Sequence, residues 1–295
     1  MYFWRLIEPA TRKIVRVTQR SLVQRPSNHS THSDLPELTQ IHRPARCLQP
    51  IDELFLFLMY LSLGLNQKDL GHRFNIHQST VSRIINTWVH FLYSVLGAVC
   101  IWLSPEEIKA DMPQVFRKYS DTQVIIDRTE LKCQAPSSLL LQSEMFSRYK
   151  SHTTMKGMIG IAPNGAVTFV SSLFSGSVSD EELFQRSGII PLLDKDMAVM
   201  VDRGFTVEDL VPCKVYRPSF RNEREPFSGG EEHKTQEIAR LRIHVERVNR
   251  RIKENQLFHT VIPLSIAGSI NQVFTVASLL YNYQNKPLVK SGVKL

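Results

Sequence analysis

A chain of 295 residues that is 42% apolar and 22% charged has room for one large domain or two ordinary ones, and the composition of a globular protein. Lys and Arg outnumber Asp and Glu by 36 to 28, a formal charge of +8 that suits a polyanionic partner, nucleic acid ahead of an anionic membrane surface. The four cysteines, Cys47, Cys100, Cys133 and Cys213, form no C-x-x-C pair, which argues against a disulfide framework and against a structural zinc site.

The first residues, "MYFWRLIEPATRK", carry aromatics without the sustained apolar run of a secretory signal. Residues 1–46, with His29, His32 and His42 among Ser, Thr and Pro, show no helical or strand period and read as a linker or disordered segment. From Ile51 the texture changes. "DELFLFLMYLSLGL" predicts an apolar helix ending near Gly64, too short to span a bilayer, and Asn66 is placed to cap a short helix through Phe74. After a turn, "QSTVSRIINTWVHFLYSVL" sets Val81, Ile84, Ile85, Trp88, Phe91 and Leu92 on one side of a third helix. Three helices, the last two tightly joined, make a helix-turn-helix pattern over residues 47–100. Gln78, Ser79, Thr80, Ser82 and Arg83 stand at the end of its third helix that would meet base edges or phosphates.

"SPEEIKADMPQVFRKYSD", a helix and loop, leads into strands. "TQVIID" is a short β-branched run closed by Asp127, and "MKGMIGIA" and "AVTFVSSLF" flank "PNG", whose Asn-Gly pair signals a tight hairpin turn. "SDEELFQRSGIIPLL" is helical, with Ser179 and Glu182 spaced as a capping box. "DMAVMVD" is a strand closed by Asp202; a helix is expected after Arg203 and Gly204, then a fifth strand in "CKVYRP" and a polar loop in "SFRNEREPFSGGEEHKT". In "ARLRIHVERVNRRIKEN", Leu241, Val245, Val248 and Ile252 form a helical apolar stripe. Glu246 stands off that stripe, among Arg242, Arg247, Arg250, Arg251 and Lys253. A last apolar helix, from about Ser265 to Tyr283, nearly reaches the length of a membrane span, but Asn271, Gln272 and Asn282 favour burial in protein.

Three strands, a helix, two more strands and a helix is the order of a ribonuclease H-like core. Asp127 and Asp202 then fall at strand ends, where side chains emerge beside a ligand crevice, and Glu246 faces them from a helix. Carboxylates on rigid elements are the ligands that Mg²⁺ or Mn²⁺ prefers, and two such ions activate water and stabilise the leaving oxygen of a phosphodiester. Each acid has a plainer role: a turn residue after a strand, or for Glu246 an ion pair with Arg242 or Arg250 one helical turn away.

The same residues resemble a family. "QVIIDRTEL", "YKSHTTMKGMIGIAPNGAVTFVSSLFSGSVSDEEL", "VMVDRGF" and "ARLRIHVERVNRRIK" resemble, in order, the blocks of the DDE superfamily of transposase-derived endonucleases, its Harbinger-like group in particular. "FNIHQSTVSRIINTW" is similar to the helix-turn-helix ahead of that nuclease domain, and the resemblance runs from about residue 50 to 290. It implies an α/β fold, a ribonuclease H-like mixed sheet flanked by helices over residues 101–290, preceded by a small all-α helix-turn-helix domain. It also implies that Asp127, Asp202 and Glu246 are the catalytic, metal-binding triad, holding divalent Mg²⁺ or Mn²⁺, two ions in all. Asp180 matches a recurrent acid of these nucleases; a first-turn carboxylate favoured by the helix dipole accounts for it equally.

The sequence departs from the family's pattern in two places. Arg128 follows the first acid where a small residue, commonly Cys, is expected; strand alternation should send it to the opposite face. Many relatives also carry an upstream zinc-coordinating DNA-binding module, whose ligands are not found here.

Lys150, His152, Lys156 and Arg203, with the cations of the Glu246 helix, read as a groove for the phosphate backbone, or as a solvated face. The expected protein is a divalent-metal-dependent DNA endonuclease in the nucleus or cytoplasm, with DNA as partner and no membrane. A separately encoded DNA-binding protein and self-association remain open. The rivals are a domesticated transposase descendant that binds DNA without cutting it, and a ribonuclease acting on RNA–DNA hybrids.

Overall fold

Side chains set the helix boundaries in the first third of the chain. The structure, a computed structural model, describes residues 2–14, 47–219 and 229–284. Helix α2 (Pro50–Leu63) ends at Gly64, and α3 (Gln67–Phe74) is capped as the sequence suggests, Asn66 Oδ1 accepting from the N–H groups of Lys68 and Asp69 at 2.8 and 3.0 Å. Asn75 closes α3 in the left-handed region (φ 51°), and α4 (Gln78–Gly97) starts after a cap the sequence did not suggest, His77, whose Nδ1 accepts from the Ser79 N–H at 3.2 Å. Gly71 makes the turn possible: a Cβ there would lie 2.8 Å from the Ile76 carbonyl oxygen. Trp88 of α4 donates its indole N–H to the buried carboxylate of Glu53 in α2, 3.2 Å away, pinning the first and third helices of the motif together.

Residues 1–46 were expected to be linker or disorder. Instead Tyr2–Thr11 form a helix, α1, with Ile7 and Ile14 buried and Phe3 against Tyr283 at 5.2 Å between ring centroids. Its few apolar residues acquire a period only against a distant partner; residues 15–46 lie outside the described part.

After α5 (Pro105–Ala110) and a 3₁₀ turn at Gln114–Tyr119, the strands are β1 (Thr122–Lys132), β2 (Phe146–Ser147), β3 (His152–Ile161), β4 (Val167–Val170), β5 (Phe174–Ser175), β6 (Ala198–Met200) and β7 (Lys214–Tyr216). The sheet runs β2-β3-β1-β6-β7, with β4 and β5 also paired to β3. β1 is antiparallel to β3 and parallel to β6, and β6 is parallel to β7, so the sheet is mixed. Helices α6 (Leu139–Met145) and α7 (Asp180–Arg186) lie in the crossovers; α8 (Gly229–Lys253), α9 (Gln256–His259) and α10 (Ile270–Gln284) complete the chain.

Three sequence expectations are corrected. β1 does not stop at Asp127 but continues to Lys132, its second half held by β3 through pairs such as Arg128–Met158 and Leu131–Met155. No helix follows Gly204: residues 203–210 make turns, with Phe205 N–H bonded to Asp202 O at 3.0 Å. The polar loop is shorter than expected, because α8 already begins at Gly229; residues 220–228 lie outside the described part.

One hydrophobic cluster runs from the helix-turn-helix (Phe57, Leu70, Trp88) through α10 (Val273, Phe274) to one sheet face (Ile125, Ile159, Met200) and the stripe of α8. The boundary drawn after residue 100 therefore separates two sequence segments but not two cores. α10 joins them, and two of its asparagines reach backbone groups on the sheet side. Asn282 Oδ1 accepts from the Val167 N–H and its Nδ2 donates to the Val167 carbonyl, both at 2.8 Å, while Asn271 Oδ1 accepts from the Leu173 N–H at 2.9 Å. Amide side chains here satisfy backbone groups at a strand edge. Among the described residues no helix is long and apolar enough to cross a membrane.

Candidate active site

The pleat of β1 sorts its residues. Ile125 and Met200, the last registered pair of the parallel β1–β6 ladder, both face the α8 side, and two residues beyond each lie Asp127 and Asp202. A strand period of two therefore aims both aspartates at the same face, at the level where β6 ends and the chain turns away. Asp127 does not mark a strand end; it lies two residues past the last parallel pair.

α8 crosses that face with its stripe of Ile238, Leu241, Val245, Val248 and Ile252 buried in the core. On the flank of the stripe stand Arg242, Glu246 and Asn249, each about one turn from the next. Arg242 is the centre of the arrangement. Its Nη1 lies 2.6 Å from Asp202 Oδ1 and 3.9 Å from Glu246 Oε1, and its Nη2 lies 3.5 Å from Asp127 Oδ1. Asn249 Nδ2 donates to Asp127 Oδ2 at 2.7 Å and lies 3.4 Å from the Arg128 carbonyl oxygen. The structure thus brings Asp127, Asp202 and Glu246 around one guanidinium.

Burial grades the group. The Arg242 side chain is 6% exposed, whereas those of Asp202 and Glu246 are 42% and 56% exposed, so the site has a closed side at β1 and an open side at the end of β6. Desolvation pushes the Asp127 pKa above its ordinary value; Asn249 and Arg242 oppose that shift, and the charges of Asp202 and Glu246 reinforce it. Lys253, further along α8, has its pKa pulled down by burial and by Lys150, against the attraction of Asp127 and Glu130. Arg250, offered as a partner for Glu246, reaches Glu254 instead, at 3.7 Å.

Arg128 does lie on the other face. Its guanidinium pairs with Asp180, at the start of α7, and sits 4.9 Å from the centre of the Tyr149 ring. A Cβ on Gly204 would lie 3.6 Å from Asp180 Oδ2, so this pair backs onto the turn that follows the second acid. Ser179 Oγ caps α7 by accepting from the Glu182 N–H at 3.1 Å, and the Glu182 carboxylate pairs with Arg186. A cleft of about 990 Å³ opens on this face, lined by Arg128, Arg148, Tyr149, Lys156 and Asp180 among others, and none of the three acids lines it.

A second cleft, of about 370 Å³, is lined by Lys132, Lys150, His152, Lys253 and His259, with Glu130. Part of the groove expected from sequence is therefore assembled. Lys156 departs from that expectation: it is buried and donates to the Val178 carbonyl at 2.8 Å.

Sequence reasoning missed two residues of the site. Arg242 was read as a cation for the phosphate backbone or as a partner of Glu246 alone, which it does approach at 3.9 Å. Its contacts with both aspartates were not foreseen, and Asn249 was not singled out. Their spacing of two helical turns, on the flank of the buried stripe, is the signal that would have marked them.

A divalent ion can be tested against these donors. Three hard carboxylate oxygen donors facing one cation suit Mg²⁺ or Mn²⁺ in chemistry. In position, however, Arg242 stands at their focus, and among the described residues no three His, Cys, Asp or Glu side chains are gathered closely enough to hold an ion as they stand.

A mixed sheet with acids at adjoining strand positions and a third on a crossing helix defines a nuclease-type α/β fold. The chain belongs to the DDE superfamily endonucleases: the family model for "DDE superfamily endonuclease" matches residues 126–282, more than half of the chain. The model for "Helix-turn-helix of DDE superfamily endonuclease" matches residues 46–98, the segment of α2 to α4, and such a motif implies DNA binding. No curated protein matches the chain closely enough to count as a relative.

Proposed function

We propose that the protein is a transposase-derived, Harbinger-like endonuclease that hydrolyses DNA phosphodiester bonds at Asp127, Asp202 and Glu246 with two divalent ions, Mg²⁺ or Mn²⁺. The observation that carries this reading is the meeting of three carboxylates, from β1, the end of β6 and α8, around a single cationic group. Ions held there would lower the pKa of water and stabilise charge on the phosphate. Asn249 holds Asp127 by one oxygen and leaves the other facing Arg242, the group that Asp202 and Glu246 also approach. The exposed sides of Asp202 and Glu246 leave room for a strand of DNA to approach. Lys132, Lys150, His152 and His259 line a path for its backbone, and Gln78, Ser79 and Arg83 are exposed at the start of α4 for duplex contact. Neither a Ser nor a Cys nucleophile is required. A nuclear location follows from the substrate, and a separate DNA-binding protein or a second copy of the chain would supply end recognition.

Supercoiled plasmid incubated with the protein and Mg²⁺ or Mn²⁺ tests the reading. Nicking is expected from the wild type and lost in Asp127→Ala and Asp202→Ala while gel-shift binding persists. One observation favours a second reading, a descendant that binds DNA without cutting: Arg242 is bonded to Asp202 at the point where an ion would sit. Wild-type protein that shifts DNA in a gel but never nicks it under either metal would establish that reading. A parallel RNA–DNA hybrid substrate separates out a ribonuclease.

A further inference from the structure

We propose that Arg242 is a positioning residue that acts as a built-in counter-ion: it holds the three acids together without metal, and it competes with the first divalent ion for them. The inference rests on the metal-dependent reading above and concerns how the site is loaded.

A guanidinium that is almost wholly out of solvent is tolerated only when opposite charge and hydrogen bonds replace its water. Arg242 meets that condition through Asp202 at 2.6 Å, Asp127 at 3.5 Å and Glu246 at 3.9 Å, while its Nε is buried with no hydrogen-bond partner. The residue is therefore placed by the acids rather than by a full set of its own hydrogen bonds. The acids in turn need it. Three carboxylates gathered around one guanidinium repel one another, most strongly at Asp127, the least exposed of them, and Asn249 neutralises no charge.

Charge counting gives the consequence. With all four groups ionised, three negative charges against one positive leave two negative, which one divalent ion balances. A second ion meets a site already neutral, and takes its balancing charge from the phosphate of bound DNA. Arg242 thus sets both the affinity for the first ion and the order in which a second follows.

Titration of the full-length protein with Mn²⁺ alone, counting free Mn²⁺ by its paramagnetic resonance, tests this without DNA or turnover. The wild type is expected to take up one ion. Arg242→Gln is expected to bind the first ion at least about tenfold more tightly and to gain a second, because a positive charge a few Å away has been removed. Arg242→Lys, which keeps the charge, and Arg73→Gln, an exposed pair remote from the acids, are expected to match the wild type. Unchanged or weaker Mn²⁺ binding in Arg242→Gln overturns the proposal, since an arginine that merely props the fold would disorder the ligands when lost.

Should Arg242→Gln fail to fold, the wild type decides the question. The side-chain ¹⁵N resonances of Arg242 should shift on saturation with Mg²⁺, and resonances that stay in place at saturation overturn the proposal. Failure of this inference and failure of the nuclease reading are distinguishable. Protein that follows the Mn²⁺ pattern but never nicks DNA sinks the nuclease reading alone; protein that nicks DNA with unaltered Mn²⁺ affinity in Arg242→Gln sinks this inference alone.

Discussion

Two neighbouring residues of β1 carry opposite charges to opposite faces of one sheet, and each finds an arginine–carboxylate pair there. On the α8 face Asp127 shares Arg242 with Asp202 and Glu246; on the α7 face Arg128 pairs with Asp180 alone. The chemistry is the same and the stoichiometry is not. The α7 face balances one acid with one base and needs nothing more. On the α8 face three acids crowd one base, leaving uncompensated negative charge in a partly buried place. An excess of like charge is what separates a site from a structural ion pair.

The largest expected effect comes from removing the least exposed acid of the crowded face. Partners that merely orient a metal ligand cost about 10–100-fold in affinity or activity when lost, so Asp127→Ala should lower metal-dependent nicking by at least about a hundredfold. The check is an initial rate at saturating Mn²⁺. A variant that nicks within a few-fold of wild type would mean the chemistry lies elsewhere, and the contrast between the two faces would lose its meaning.

Asn249→Ala comes next. It deletes the 2.7 Å hydrogen bond to Asp127 Oδ2 without changing charge, and the nicking rate should fall by about 10–100-fold. Loss of a hydrogen bond to a charged, partly buried group also costs about 1.5–3 kcal/mol of stability, readable by urea denaturation. Stability lost with an unchanged rate would reduce Asn249 to a scaffold residue.

How much of this was legible in the sequence depends on how local each cause is. Asn66 capping α3 and the Asn164-Gly165 hairpin turn were readable because the partners lie within a few residues. The second half of β1 was not: "RTELK" owes its extension to β3, some two dozen residues on, and its polar residues hid the strand. α1 was missed because its apolar face has meaning only against α10, at the other end of the chain. The three acids could be picked out by position and resemblance, and Arg242 as a neighbour of Glu246 by helical spacing, but the contacts of Arg242 with Asp127 and Asp202 could not. In a helix full of arginines, only the crossing of α8 over the sheet selects which guanidinium turns inward.

Arg128→Ala tests the balanced face. The Arg128 side chain is 27% exposed, so leaving Asp180 without it should cost about 1–3 kcal/mol of stability. Mn²⁺ affinity should stay that of the wild type, because the guanidinium points away from Asp127. A shift in Mn²⁺ affinity as large as that expected for Arg242→Gln would show the faces to be electrostatically joined, through Asp180 and the turn at Gly204 beside it.

The smallest effect belongs to a pair with equally good geometry and no burial. Arg73 Nε lies 2.9 Å from Asp69 in α3, but its side chain is 55% exposed, so water and salt screen what the contact gains. Exposed pairs one helical turn apart contribute about 0.3–0.5 kcal/mol, and a protein of this size converts that into a melting shift of under about 2 °C in Arg73→Ala. If burial rather than pairing separates these arginines, the destabilisation should rise from Arg73 to Arg128. Position 242 must break the series, because in Arg242→Gln the loss in metal-free buffer should be recovered on adding Mn²⁺. A series that rose smoothly through Arg242, with no recovery by the ion, would place all three arginines in one structural class and leave the acids without a cation-binding role.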